Sequence, residues 1–256
     1  MSIRLSNVSY SQGTACLLDG VTTSFTAGQV SAIVGPNGAG KTTLMRLISG
    51  EMQGSGEIFY HERNLRQLSL RAQAACRAVM TQSSQVVFDF SVEDILHMGW
   101  IQSDRLLLNE TLSAVANRCG ISSFLDRRFN SLSGGEQQRV QFARALLQLS
   151  PVAESNYPAF LLLDEPTASL DVAHEMMVLG LAKEAAAQGL GVVVILHDLN
   201  LASRFADNIY LMRDAQLIAA GPPEHILVAD LLSEVYATPL MVEQHPQLQC
   251  RIVLAR

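Results

Sequence analysis

One stretch of this chain reads Val30-Ser31-Ala32-Ile33-Val34-Gly35-Pro36-Asn37-Gly38-Ala39-Gly40-Lys41-Thr42. Its first five residues are mostly aliphatic and do not alternate with polar ones, which is typical of a parallel-sheet strand covered on both faces. The next eight match the phosphate-loop pattern G-x-x-x-x-G-K-[ST]. An apolar-periodic segment with Leu44, Leu47 and Ile48 follows. A strand, a loop and a helix in this order predict a nucleotide-binding P-loop core.

The loop residues suit the binding of nucleotide phosphates. Glycines allow backbone N–H groups to close around phosphate oxygens at a helix N-terminus, where the helix dipole also favours anions. We predict that Lys41 binds β- and γ-phosphate oxygens and that the Thr42 hydroxyl binds Mg²⁺. The alternative is a chance match in a glycine-rich turn, which the flanking strand and helix disfavour. The predicted phosphate-binding residues are Gly35, Pro36, Asn37, Gly38, Ala39, Gly40, Lys41, Thr42 and Thr43.

Two further apolar runs also end in reactive side chains. Asp164 and Glu165 follow Phe160-Leu161-Leu162-Leu163, and His197 follows Val192-Val193-Val194-Ile195-Leu196. The carboxyl ends of parallel strands lie at one edge of the sheet, so these groups are expected to meet the phosphate loop. We predict that Asp164 joins a Mg²⁺ shell and that Glu165 polarises the attacking water.

A helix cap is the alternative explanation for this acidic pair. Pro166-Thr167 comes directly afterwards and resembles the start of a helix or turn. Without the phosphate loop elsewhere in the chain, that interpretation would be preferred.

Leu132-Ser133-Gly134-Gly135-Glu136-Gln137 also supports two compatible interpretations. The spacing of Ser133 and Glu136 predicts a capping box at the start of an amphipathic helix. A glycine-rich helix start with a free hydroxyl is also suited to binding an anion. Capping alone does not require two consecutive glycines.

Length and pattern indicate one domain, of α/β class, over residues 1–256. The chain has 48% hydrophobic residues, enough to fill a core. Alternating segments near the N-terminus predict an antiparallel β subdomain. Helix formers such as Ala72-Gln73-Ala74-Ala75 predict an inserted helical subdomain. We therefore expect a mostly parallel P-loop core with its antiparallel lobe over about 1–64 and 150–256, and a helical subdomain over about 65–149.

Composition disfavours several other classes of protein. A net charge of −6 and a pI near 5.5 argue against a nucleic-acid partner. No secretory signal is visible, and the longest apolar run falls far short of the ~20 residues that cross a bilayer. The four cysteines show no C-x-x-C spacing. These features predict a cytosolic protein without a membrane span.

Together, the phosphate loop, Leu132–Gln137 and Leu161-Leu162-Leu163-Asp164-Glu165-Pro166, followed by Ser169-Leu170-Asp171 and His197, resemble the ATP-binding subunits of ABC transporters. The resemblance covers nearly the whole chain. It implies a homodimer in which each ATP lies between one copy's phosphate loop and the other copy's signature segment, Leu132–Gln137. The signature residues expected at the γ-phosphate are Ser133, Gly134 and Gly135.

The same resemblance implies roles for further positions. Tyr10 would stack on adenine, although a strand tyrosine packed on the sheet is an alternative. Gln82 would sense Mg²⁺ and link the core to the helical subdomain, with a plain loop glutamine as the alternative. Asp171 would lie at the dimer seam, and His197 would contact the γ-phosphate. The residues implied in catalysis are Glu165, His197 and Lys41, and those implied in the Mg²⁺ shell are Thr42, Gln82 and Asp164.

Segments later in the chain resemble one group of importers within this family. The runs Gly221–Leu227 and Val235–Leu240 are similar to importers of iron chelates, haem and vitamin B12, and the long stretch Leu149–Pro158 resembles hemin-import members. Gly99-Trp100 departs from the Gly-Arg common in those relatives, and Trp100 suits either an interface or a core.

This resemblance implies an ATPase that powers a bacterial importer of hemin or a related iron chelate. Its expected location is the cytoplasmic face of the inner membrane, as a peripheral subunit. Its expected partners are two integral-membrane permease subunits and, indirectly, a periplasmic substrate-binding protein. The alternatives are a siderophore or vitamin B12 importer, and a soluble ABC ATPase of iron-sulfur cluster assembly.

Overall fold

The fold is that of a computed structural model, which describes residues 1–81, 88–101, 105–150 and 158–255. Gln82 and most of the stretch Leu149–Pro158 therefore lie outside the described residues. The strands are β1 (Ser2–Gln12), β2 (Ala15–Thr26), β3 (Val30–Val34), β4 (Ser55–Tyr60), β5 (Arg63–Asn64), β6 (Arg77–Met80), β7 (Phe160–Asp164), β8 (Gly191–Ile195), β9 (Asn208–Arg213), β10 (Gln216–Gly221), β11 (Leu240–Gln244) and β12 (Arg251–Ala255). The helices are α1 (Lys41–Ser49), α2 (Leu70–Cys76), α3 (Val92–Gly99), α4 (Arg105–Arg118), α5 (Gly134–Leu149), α6 (Val172–Ala187), α7 (Leu199–Phe205), α8 (Pro223–Ile226) and α9 (Ala229–Tyr236).

A six-stranded sheet with the order β10-β9-β3-β8-β7-β6 forms the centre of the molecule. Strand β10 runs antiparallel to β9, and the other neighbours pair in parallel. All five residues of β3, β7 and β8 are buried, which explains why these strands read as continuous apolar runs. The carboxyl ends of β3, β7 and β8 share one edge, and that edge carries the phosphate loop, Asp164 and His197.

Two hydrophobic cores lie on the two faces of this sheet. Successive residues of β3 belong to different cores: Ala32 belongs to the larger core and Ile33 to the smaller one. The smaller core packs α1 between the central sheet and the antiparallel sheet β2-β1-β4-β5. The predicted fold class, a mostly parallel P-loop core with an antiparallel β subdomain, is thus confirmed.

The helical region differs from the prediction in one respect. Helices α2 to α5 lie within the predicted range 65–149, but β6 also falls there and pairs in parallel with β7 at the edge of the central sheet. Four residues are too few to show a period, so local pattern could not reveal this strand. Trp100, at the end of α3, is partly buried against the larger core.

The C-terminal region forms a small sheet of its own. Helix α9 is followed by two strands, β11 and β12, that pair antiparallel. None of the helices in the described part of the chain is long and apolar enough to cross a bilayer.

Candidate nucleotide-binding site

The phosphate loop leaves its backbone available to an anion. Gly40 precedes α1 in the left-handed region, with φ 96°, and no side chain caps the helix. The first amides of α1 therefore keep their hydrogen-bonding capacity. A Cβ on Gly40 would lie 2.6 Å from Leu17 O, and a Cβ on Gly35 would collide with Met212 O. Glycine is required at both positions because the loop lies tightly between β2 and β9.

Lys41 is the first residue of α1 and directly follows Gly40. Its side chain is buried, and Nζ donates hydrogen bonds to Gly35 O at 2.7 Å and Pro36 O at 2.9 Å. Burial lowers the pKa of Lys41, while the charges of Glu165 and Asp164 raise it. The ammonium group is therefore held by two carbonyl oxygens, near the charges of two carboxylates and in a position suited to phosphate oxygens.

Asp164 ends β7 and is only 4% exposed. Burial raises the pKa of its carboxyl to about 6, and the charge of Glu165 adds to this effect. The nearby Thr42 hydroxyl lowers this pKa and so opposes the effect of burial, and Oδ1 has no hydrogen-bond partner among the described residues. Hard cations prefer oxygen ligands, and this site offers a buried carboxylate oxygen without a partner next to a hydroxyl. These residues therefore fit Mg²⁺.

The raised pKa predicts how pH affects stability. Asp164 binds a proton more tightly in the folded chain than in the unfolded chain, so its contribution to stability is present below pH ~4 and is lost as pH rises through about 6. Asp164→Asn removes this titration. We expect the variant to gain stability relative to wild type between pH 4 and 7.5, by roughly 3 kcal/mol, in nucleotide-free chemical denaturation.

The matched control for this prediction is Asp126→Asn, at an exposed aspartate. Its stability difference from wild type should not change over the same pH range. A constant difference between Asp164→Asn and wild type from pH 4 to 7.5 would contradict the assignment.

Glu165 and His197 are in direct contact. His197 Nε2 lies 2.6 Å from Glu165 Oε1, with the glutamate side chain 12% exposed and the histidine 49% exposed. Glu165 has a φ of 53°, a region that costs a non-glycine residue about 1–3 kcal/mol and is found mainly at functional sites. The next helix, α6, begins at Val172 with Asp171 as its cap. The helix-cap alternative for Asp164 and Glu165 is therefore wrong.

The signature segment forms the predicted capping box. Ser133 Oγ accepts from Glu136 N, and Glu136 Oε2 accepts from Ser133 N at 2.8 Å. Ser133 and Gly134 are exposed at the start of α5. A Cβ on Gly135 would lie 3.0 Å from Ser169 O, so packing within the chain gives one reason for the second glycine.

The remaining predicted positions are spread more widely. Tyr10 lies on β1, partly buried against the smaller core. Asp171 caps α6 by accepting from His174 N at 2.9 Å, and His174 Nδ1 lies 2.8 Å from the same oxygen. The structure brings together Lys41, Thr42, Asp164, Glu165 and His197. The contacts described for the signature residues connect them instead with Glu136 and the 169–170 turn.

Arg46 is a site residue that was not predicted from the sequence. Its charge lowers the pKa of Asp164 and so opposes the effect of burial. The available signal was its spacing, because Arg46 follows Thr42 by four residues and therefore lies on the same face of α1.

Comparisons with known proteins show the family to which this chain belongs. The family model described as "ABC transporter" matches residues 18–168. Hemin import ATP-binding protein HmuV of Rhodopseudomonas palustris (strain BisA53) is 41% identical over 91% of this chain and 87% of its own length. The protein of the same name from Agrobacterium fabrum is 40% identical over 98% of this chain and 97% of its own length.

Solved structures show the same fold. An ATP-binding subunit of an ABC transporter superposes with a TM-score of 0.81 at 22% identity, covering 93% of this chain and 98% of that one. An inward-facing transporter of proposed metal-chelate type gives a TM-score of 0.79 at 22% identity, covering 100% and 97%. The family match spans the phosphate loop, the signature segment and Asp164-Glu165. The chain therefore belongs to the ABC transporter family and is an ATP-hydrolysing subunit of such a transporter.

Proposed function

We propose that this chain is the energy-coupling ATPase of a bacterial importer for hemin or a related iron chelate. The observation that supports this reaction is that four side chains lie together at one edge of the central sheet: Lys41, Asp164, Glu165 and His197. The hemin-import relatives, near 40% identity over nearly the full chain, support the substrate class. Tyr10 is proposed to contact the adenine, and the phosphate loop binds the phosphates.

The site residues divide the hydrolysis reaction among them. The α1 amides and Lys41 bind the phosphates, and His197 donates a hydrogen bond to the γ-phosphate. Glu165 accepts a hydrogen bond from the attacking water and orients it for in-line attack. Thr42, Asp164 and Gln82 are the proposed Mg²⁺ residues. When bound, Mg²⁺ would neutralise negative charge on the phosphates of the nucleotide.

We further propose that the active unit is a homodimer. The exposed Ser133 and Gly134 at the start of α5 support this, because an exposed helix N-terminus is complementary to a γ-phosphate presented by a second copy. Closure of two copies on ATP then moves two bound permease subunits at the cytoplasmic face of the inner membrane. A periplasmic binding protein delivers the cargo to those permeases.

Partner capture and complementation test the transport role. In cells that lack this chain, we expect the wild-type copy to restore growth on hemin iron and Glu165→Gln to fail. Tagged chain from detergent-solubilised membranes should retain an integral-membrane polypeptide. The control variant Glu184→Gln alters an exposed glutamate that pairs with Arg118, and it should behave as wild type. Recovery of soluble partners alone would favour iron-sulfur cluster assembly instead.

A further inference from the structure

Helix α7 is attached to the last strand of the chain by two side chains. The Asn200 amide contacts the backbone of Val253 at two points: Oδ1 accepts from Val253 N at 2.8 Å, and Nδ2 donates to Val253 O at 3.4 Å. Ser203 Oγ accepts from Arg251 N at 3.0 Å, and Ser203 is buried. Asn200 thus supplies the hydrogen bonds that a neighbouring strand would give to β12.

The same helix begins two residues after His197. Asp198 caps α7, with Oδ1 accepting from Asn200 N at 2.6 Å and from Leu201 N at 3.3 Å. Helix α7 has only seven residues, so its own hydrogen bonds give it little rigidity. Strand β8 fixes the chain on the N-terminal side of His197, with Leu196 N donating to Ile33 O at 3.2 Å. On the C-terminal side, the position of His197 beside Glu165 depends on what holds α7 in place.

The C-terminal segment, residues 223–255, also reaches the phosphate loop. Burial raises the pKa of Tyr236, the last residue of α9, to about 12, and the nearby backbone of Gly35 opposes this effect, so the hydroxyl lies close to the phosphate loop. Arg213, at the end of β9, donates to Glu234 O at 3.1 Å. One segment thus lies beside the phosphate loop and is hydrogen-bonded to the helix that follows His197.

We propose that Asn200 is a positioning residue for His197, acting by fixing α7 to strand β12 of the C-terminal segment. The proposal rests on the proposed ATPase function. Small misplacement of a catalytic group is costly, because the reaction requires near-attack geometry. Loss of this attachment should therefore slow turnover without weakening nucleotide binding, which depends on the phosphate loop.

The test compares Asn200→Ala with Ser233→Ala. Ser233 is a matched control because its Oγ also contacts a strand backbone at two points, Leu240 N at 2.9 Å and Leu240 O at 3.4 Å, but within the C-terminal segment. For Asn200→Ala we expect kcat to fall about fivefold, the loss of one such attachment, with KM and ADP affinity unchanged. For Ser233→Ala we expect no change in kcat.

Two further measurements separate positioning from a general loss of stability. In a His197→Ala background, Asn200→Ala should cause no additional loss of residual turnover, because the two residues act in one step. Backbone amides of α7 should exchange faster with solvent deuterons in Asn200→Ala and not in Ser233→Ala. If Asn200→Ala does not fold, Ser203→Ala removes a single hydrogen bond and should lower kcat about twofold.

The possible outcomes distinguish this inference from the proposed function. Wild-type kcat in Asn200→Ala, equal losses in both alanine variants, or a further fivefold loss in the His197→Ala background would each overturn the positioning role. If Asn200→Ala does not fold, wild-type kcat in Ser203→Ala would overturn it. Absence of ATP hydrolysis by the wild-type chain and its membrane partners would overturn the proposed function itself.

Discussion

Replacing Glu165 with glutamine is expected to lower ATP turnover by about 100-fold or more, the range lost with a general base, while ATP binding is retained. The introduced glutamine keeps the size of the side chain but lacks the carboxylate that polarises water. Its amide oxygen can still accept a hydrogen bond where Oε1 of Glu165 now lies 2.6 Å from His197 Nε2. The substitution therefore removes the chemistry with little change in shape.

The same variant should accumulate as an ATP-bound dimer, because hydrolysis is what reopens the proposed interface. Size-exclusion chromatography with and without ATP, together with phosphate release, measures both effects. Glu184→Gln provides the control, since its ion pair with Arg118 lies at the surface. Normal phosphate release by purified Glu165→Gln protein would rule out the assigned role.

Replacing Lys41 with alanine is expected to weaken ATP binding by about 100-fold or more, which corresponds to about 2.7 kcal/mol. Hydrogen bonds from a charged donor to phosphate are among the strongest in proteins. In the present structure Nζ binds Gly35 O and Pro36 O, so the variant loses the group that would exchange these carbonyls for phosphate oxygens. Turnover should fall with binding.

Calorimetric titration of ATP measures this loss. The chain has one other lysine, Lys183, which is exposed on α6, so Lys183→Ala is a matched control for the loss of one positive charge. ATP affinity in Lys41→Ala within a few fold of that in Lys183→Ala would contradict a phosphate-binding role.

Residue type and spacing alone were enough to predict the P-loop core and its family. Short-range spacing indicates the chemistry of the glycines at 35, 38 and 40 before Lys41, and of the two carboxylates after an aliphatic strand. The roles assigned to individual site residues stay predictions until the variants are measured. Gln82 lies outside the described residues, so its assignment also stays a prediction.

Other features depended on contacts between distant parts of the chain. Strand β6 was missed because its four residues show no period, and it is defined by pairing with β7. The sequence also could not reveal the pairing of β11 with β12 or the attachment of β12 to Asn200. Such pairings depend on which surfaces remain unburied once the rest of the chain has folded.

By itself, the sequence determined which reactive groups this protein has and that they lie at strand ends, because motif chemistry depends on residue type and short spacing. Only the tertiary structure decided which groups meet. It put His197 against Glu165, left Asp164 Oδ1 without a partner among the described residues, and packed the C-terminal segment onto α7. The physical reason is that burial, pKa and hydrogen-bond geometry arise from segments that are remote in sequence and packed together in the fold.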